Sequence, residues 1–188
     1  MLSIGWEDLE KSEKNSAPGL VLPQLLLGDV RKVRLNKFFD AVTSLFHVMS
    51  YQNTEEDALA EFETARLHLR PGGIFLFDFW YGPGVLSDPP EEREKIMEDS
   101  DFFVHRHARP VHRINENIVE VHYTIELAEK QTGIQRKLQE THVMRYWFMP
   151  ELLYLVKLSG FRIVAEGIWL QESAPSKSTW NAWMAVRK

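Results

Sequence analysis

Residues 37–80, KFFDAVTSLFHVMSYQNTEEDALAEFETARLHLRPGGIFLFDFW, constrain the fold more than any other stretch of the chain. Two short apolar runs, Phe39–Phe46 and Gly73–Phe79, have the β-branched and aromatic composition of strands buried on both faces. Between them Thr54 is suited to cap a helix, and Glu55, Glu56 and Asp57 follow where the positive helix end favours carboxylates. Ala58, Leu59, Phe62, Ala65, the stem of Arg66 and Leu69 then recur at helical spacing on an otherwise charged segment. Buried strand, amphipathic helix, Pro-Gly-Gly turn and buried strand spell a βαβ crossover in a parallel sheet. Ligands bind such sheets beyond the carboxyl ends of the strands. Those ends are Leu45–Tyr51 and Asp78–Tyr81, both rich in aromatics.

The 188 residues suit one domain with an insertion and can bury a substantial core. A net charge of −5 argues against a general nucleic-acid or anionic-membrane surface. No apolar run reaches membrane-span length and no signal sequence opens the chain, so the expected compartment is the cytoplasm. The absence of cysteine rules out disulfides and thiolate metal sites.

Before the crossover, Leu2–Trp6 is a short apolar piece, Glu7–Asn15 a charged helical stretch, and Ala17-Pro-Gly19 a stop. Leu20–Leu27, broken by Pro23, suits an edge or entry strand, and Gly28-Asp-Val30 a turn. After Tyr81, Gly82-Pro-Gly84 and Asp88-Pro-Pro90 read as loops around a charged segment, Glu91–Asp99. Phe102–His112, Ile118–Ala128 and Ile134–Tyr146 read as an antiparallel meander, joined by Asn115–Asn117 and Lys130–Gly133. Pro150 opens a helix ending at Ser159-Gly160, and Phe161–Leu170 and Trp180–Arg187 close the chain as an antiparallel pair.

This order resembles a class I S-adenosylmethionine-dependent methyltransferase of the small-molecule and sugar N-methyltransferase branch. The resemblance rests on Gly28-Asp29-Val30, on Phe39-Asp-Ala-Val42 with Leu45-Phe46-His47, on Leu69-Arg-Pro-Gly-Gly73, and on Leu158-Ser-Gly-Phe161. It implies an α/β fold: a Rossmann-like methyltransferase sheet, N-terminally incomplete, with an inserted antiparallel β-meander. Residues 1–101 and 147–188 would form the core, and 102–146 the insertion, acting as lid or dimer contact. The family's glycine-rich loop has no counterpart in the first forty residues, where Gly5, Gly19 and Gly28 are isolated. Truncation, a misplaced gene start and genuine loss are all compatible with that.

The resemblance implies S-adenosylmethionine as cofactor. Glu7 would stand where an acid bonds the ribose hydroxyls, Asp29 and Val30 beside the adenine, and Leu45 and Phe46 along the cofactor. His47 suits a general base, or a histidine bonded to nearby backbone. Tyr51 either bonds the nucleophile or staples its loop to the helix. Trp80 and Tyr81 either wall a substrate pocket, where aromatic faces attract a cation or a sugar, or pack beneath the meander. His105 and His107 share a strand face, but no third metal ligand is specified, so no metal is expected. The expected activity is methylation at N or O of a small polar metabolite or sugar, by a homodimer with no nucleic-acid or membrane partner. The alternative is a catalytically degenerate binding or assembly subunit.

Overall fold

The computed structural model describes residues 24–188. The strand β1 (Phe39–Ser44) leads through a 3₁₀ turn (Val48–Tyr51) to helix α1 (Glu55–His68) and strand β2 (Leu69–Trp80). Helix α1 starts as its sequence dictates: the Thr54 hydroxyl accepts the Asp57 N–H at 3.1 Å, with three acids in the first turn. β1 and β2 pair in parallel, Ala41 to Ser44 against Ile74 to Phe77. β2 begins earlier than expected, with Leu69 opposite Phe39; the register breaks across the Pro-Gly-Gly segment and resumes with Ile74 opposite Ala41, and Gly72, at φ 81, donates its N–H to Lys188 O.

The chain closes with α3 (Met149–Leu158), β7 (Arg162–Ile168) and β8 (Asn181–Arg187). Pro150 stands in the first turn of α3, and Glu151 reaches back to accept the Phe148 N–H at 2.9 Å. β8 inserts beside β2, giving a sheet of order β1-β2-β8-β7. Alternation along β2 sends Phe75, Phe77 and Phe79 to one face, where α1 and α3 cover them. There Phe62 meets Phe75 and Phe77 edge-on, with centroids 5.5 and 5.3 Å apart. Leu152, Leu155, Phe161, Met184 and Val186 complete this core.

The segment after β2 departs from expectation twice. Gly82–Ser87, expected as loop, is a short helix, α2. Its glycines are packing residues: a Cβ on Gly84 would stand 1.8 Å from Thr179 O, and one on Gly82 would enter the Phe148 ring. The charged stretch Arg93–Glu98, also expected as connection, is strand β3. It lacks apolar alternation because every one of its residues is exposed. β3 pairs with β4 (Phe102–Arg113), which continues into β5 (Ile118–Glu129) and β6 (Gln135–Arg145), an antiparallel sheet of order β3-β4-β5-β6. The Asn115–Asn117 connection is a 3₁₀ turn with Asn117 left-handed.

The two sheets meet over a small core of Val85, Val119, Val121 and Tyr146, extended by Trp80, Trp180 and Tyr123. Arg145, at the end of β6, locks the junction. Its guanidinium lies 4.1 Å above the Trp147 ring and bonds Glu55 at 2.7 Å and Glu151 at 3.0 Å. It thereby ties the second sheet to the starts of both long helices. The expected strand at Leu20–Leu27 lies mostly outside the described residues, and 24–27 are not in regular structure.

Candidate active site

The carboxyl ends of β1 and β2 lie side by side, and the 45–52 loop folds back over them. Phe46 and His47 are both left-handed, with φ 62 and 64, a rare state for two consecutive non-glycine residues. What holds them is Asp78, 1% exposed near the end of β2. Its Oδ1 and Oδ2 accept the His47 backbone N–H at 3.1 and 3.2 Å. The His47 ring stands over the same carboxylate, Nδ1 2.8 Å from Oδ2, though turned out of the line a hydrogen bond needs. Ser50 accepts the Trp80 N–H, and Met49 O accepts the Trp147 indole N–H, so the loop is pinned along its length. The His47 ring lies 6.2 Å from that of Trp80.

Trp80 walls a cavity of about 370 Å³ between the two sheets, with Trp180, Tyr123, Arg106, Asp88 and Glu91 among its other lining residues. Trp80 and Trp180 meet edge-to-face at 5.3 Å, and the Trp180 indole N–H is held by Asp88 O. Arg106 spreads over the Tyr123 ring at 5.5 Å, its buried Nε without a partner. The cavity therefore offers aromatic faces, carboxylates and a guanidinium. A compact polar molecule carrying an amine suits that lining.

Val30 and Leu45 line a second, mostly apolar hollow of about 280 Å³, beside β1 and α1. Asp29 stands next to it, but its carboxylate is already engaged. Arg31 approaches Oδ1 through its backbone N–H and Nε, and Oδ2 through Nη2, while also reaching Asp57 at 2.8 Å. Those bonds hold the Asp29 carboxyl down to about 2.

The structure thus brings His47 and Trp80 together, and Val30 and Leu45 together. Phe46 projects outward, 83% exposed. Tyr51 turns away from the strand ends to bond His142 Nδ1 of β6 at 2.6 Å, and burial pushes its hydroxyl upward. Tyr81 packs on the main core rather than in the cavity. Glu7 lies outside the described residues. On the second sheet, His105 faces Glu94 and Glu126, and His107 faces Glu92. No group of three or more His, Asp or Glu among the described residues stands close enough to hold a metal ion.

Two acids escape the sequence reading of the site. Asp78 interrupts an apolar strand, which is the signal that could have found it. Glu61 faces the core from α1, 3% exposed, accepting the Ser44 hydroxyl at 2.5 Å while its Oε2 has no partner. Burial pushes its carboxyl up to about 7, assisted by the charge of Asp78 and opposed by Ser44 and Gln52. Its place three residues after Ala58 and one before Phe62 is the only sequence signal.

Comparison with known proteins decides among the α/β architectures. A methyltransferase of Clostridium acetobutylicum that is S-adenosylmethionine-dependent superimposes with a TM-score of 0.75 at 18% identity, over 96% of this chain and 68% of that one. The chain has the S-adenosylmethionine-dependent methyltransferase fold. A sugar N-methyltransferase of Streptoalloteichus, KedS8, superimposes with a TM-score of 0.67 at 19% identity, covering 86% of this chain and 61% of its own. In sequence the chain is similar to a dTDP-3-amino-3,4,6-trideoxy-alpha-D-glucopyranose N,N-dimethyltransferase of Streptomyces venezuelae, 27% identical over 157 residues. That match takes in 84% of this chain and 63% of the relative, so the chain spans less than two thirds of the relative's length. No protein-family model matches.

The residues fit that fold's cofactor in part. The Val30–Leu45 hollow suits an adenine ring, and the Asp78–His47 corner, with aromatic faces beside it, suits a sulfonium. The methionine end needs a backbone cradle free of side chains. The chain's only G-x-G, Gly82-Pro-Gly84, is filled by Phe148 and Thr179, so no such cradle exists among the described residues.

Proposed function

We propose that this chain carries the methyl-transfer half of an S-adenosylmethionine-dependent methyltransferase that acts on the amine of a sugar or similar small polar metabolite. The observation that supports this best is the corner where buried Asp78 fixes His47 in a left-handed turn, 6.2 Å from the Trp80 wall of the cavity. When bound, the cofactor supplies an electrophilic methyl group on a sulfonium. Catalysis then depends chiefly on alignment and on exclusion of water.

An acceptor amine enters the cavity as an ammonium drawn by Asp88, Glu91 and the faces of Trp80 and Trp180. His47, through Nε2, takes the ammonium proton and frees the nitrogen lone pair. Asp78, beside Nδ1, stabilises the resulting imidazolium and keeps the ring in place. The second sheet, with residues 102–146 as its insertion and β3 at its edge, closes over the acceptor as a lid and joins two copies in a cytoplasmic homodimer. A monomeric mass in sedimentation at high concentration overturns the dimer.

The test is transfer of a labelled methyl group from S-adenosylmethionine to a panel of amino sugars and their hydroxyl counterparts, read by mass spectrometry. Methylated amines are expected, and no transfer to any acceptor overturns the reading. His47→Ala should lower turnover by ten- to a thousandfold while moving cofactor affinity little; unchanged turnover removes His47 from proton transfer. The missing cradle favours a second reading, a degenerate subunit that binds acceptor or partner without methylating it. Retained acceptor binding without transfer would establish that one.

A further inference from the structure

Glu61 is the buried ionisable group that the proton transfer above does not use. It stands under the loop that carries His47, and its hydrogen-bond partner is the residue from which that loop departs. Ser44, where β1 ends, donates its hydroxyl to Glu61 Oε1. Gln52, where the loop re-enters toward α1, is buried, and its side-chain amide donates to Val48 O inside the loop at 3.1 Å. Between Ser44 and Gln52 lie two left-handed residues, a conformation that relaxes unless its surroundings over-determine it.

We propose that Glu61 is the positioning residue of this site: by holding Ser44, from which the loop departs, it fixes the left-handed turn that sets His47 over Asp78. The inference rests on the methyl-transfer reading for its purpose, but its geometry stands without it. The groups facing Glu61 are few. Ser44 comes from β1, Gln52 from the loop, the Asp78 charge from β2, and His68 lies two turns along its own helix on the same hollow. The basic residues of the segment in front, Arg31 and Arg34, are turned to Asp29, Asp57, Thr64 and Glu63. Among the described residues no cation therefore neutralises Glu61. With its proton it is a neutral anchor; without it, a second buried negative charge joins Asp78 beneath the loop. The grip on His47 is thus sensitive to pH around neutrality.

The test follows the loop amides by NMR between pH 5 and 8.5, in the whole chain and without cofactor. A His47→Gln background removes the imidazole. The amides of Ser44, Val48 and Gln52 should shift with an inflection near pH 7, and adding Glu61→Gln should abolish it while leaving the acid-limit spectrum in place. An inflection that survives Glu61→Gln, or loop amides that do not titrate at all, overturns the proposal. Ser44→Ala, which removes the anchor and no charge, should move the His47 amide in the otherwise unaltered chain; an unmoved amide also overturns it. A merely structural role predicts no pH-dependent difference between Glu and Gln. Because no methyl donor is needed, failure of cofactor binding would sink the methyl-transfer reading and leave this result standing.

Discussion

Replacing Glu61 by Gln should make the protein more stable, and by an amount that depends on pH. Glu61 is 3% exposed, and burial raises its carboxyl from an ordinary value of 4.5 to about 7. The sign follows from proton binding. The unfolded chain releases this proton near pH 4.5, whereas the folded protein keeps it until about 7. Folding is therefore opposed increasingly as pH rises through that window, and the penalty levels off above it. At about 1.4 kcal/mol for each pH unit, the window carries about 3 kcal/mol. Gln is neutral throughout, keeps an oxygen to accept the Ser44 hydroxyl, and fills nearly the same volume. The two proteins should therefore be equally stable within about 0.5 kcal/mol at pH 4, with the variant ahead by about 2–3 kcal/mol at pH 8. Urea unfolding of both proteins at half-unit steps from pH 4 to 8 measures this, and their difference cancels every other titrating group. An advantage that does not change with pH, or a variant less stable at pH 8, would refute the account of Glu61 as a buried, uncompensated acid.

Two further substitutions test how the sheets and the site are held. Arg145→Ala removes the bonds to Glu55 and Glu151 and the contact with Trp147, and should cost about 2 kcal/mol in urea unfolding. Hydrogen exchange should show the lower end of β6 opening first; protection unchanged there would contradict its role at the junction. Gly84→Ala forces a Cβ against the Thr179 backbone, which cannot yield cheaply, and should cost about 3 kcal/mol. A neutral effect in thermal unfolding would show that α2 and the 179–180 segment are not packed as described.

How much of this is legible in the sequence depends on whether the cause is local. The parallel pair and α1 are legible because apolar strand composition, an N-cap threonine and acids in the first turn are read within a few residues; the expected burial of both strands on both faces fails for β1, an edge strand exposed along most of its length. The meander is legible where one face is apolar. β3 is not, since Arg93–Glu98 is solvated on both faces and its strand state comes from pairing with β4. Asp29 is legible as a turn residue, but its capture by Arg31, and that arginine's reach to Asp57, depend on how the turn sits against α1. His47 stands out as a polar residue beyond a strand. Its orientation is hidden, because the left-handed turn at Phe46 and His47 contains no glycine to announce it and is fixed by an acid 31 residues away. Glu61 is hidden for a related reason. In a helix with many surface acids, only the third dimension distinguishes the one beneath Ser44 and Gln52.

These residues are proposed to form the cofactor-facing corner of a methyltransferase. Isothermal calorimetry of the chain with S-adenosylmethionine tests this most directly, alongside Asp78→Asn, which removes the carboxylate charge that accepts the His47 N–H and is proposed to face the sulfonium. Saturable heat is expected for the parent protein, with affinity reduced about tenfold or more in Asp78→Asn. No saturable binding by the parent protein up to millimolar ligand, or equal binding by the two proteins, would contradict it.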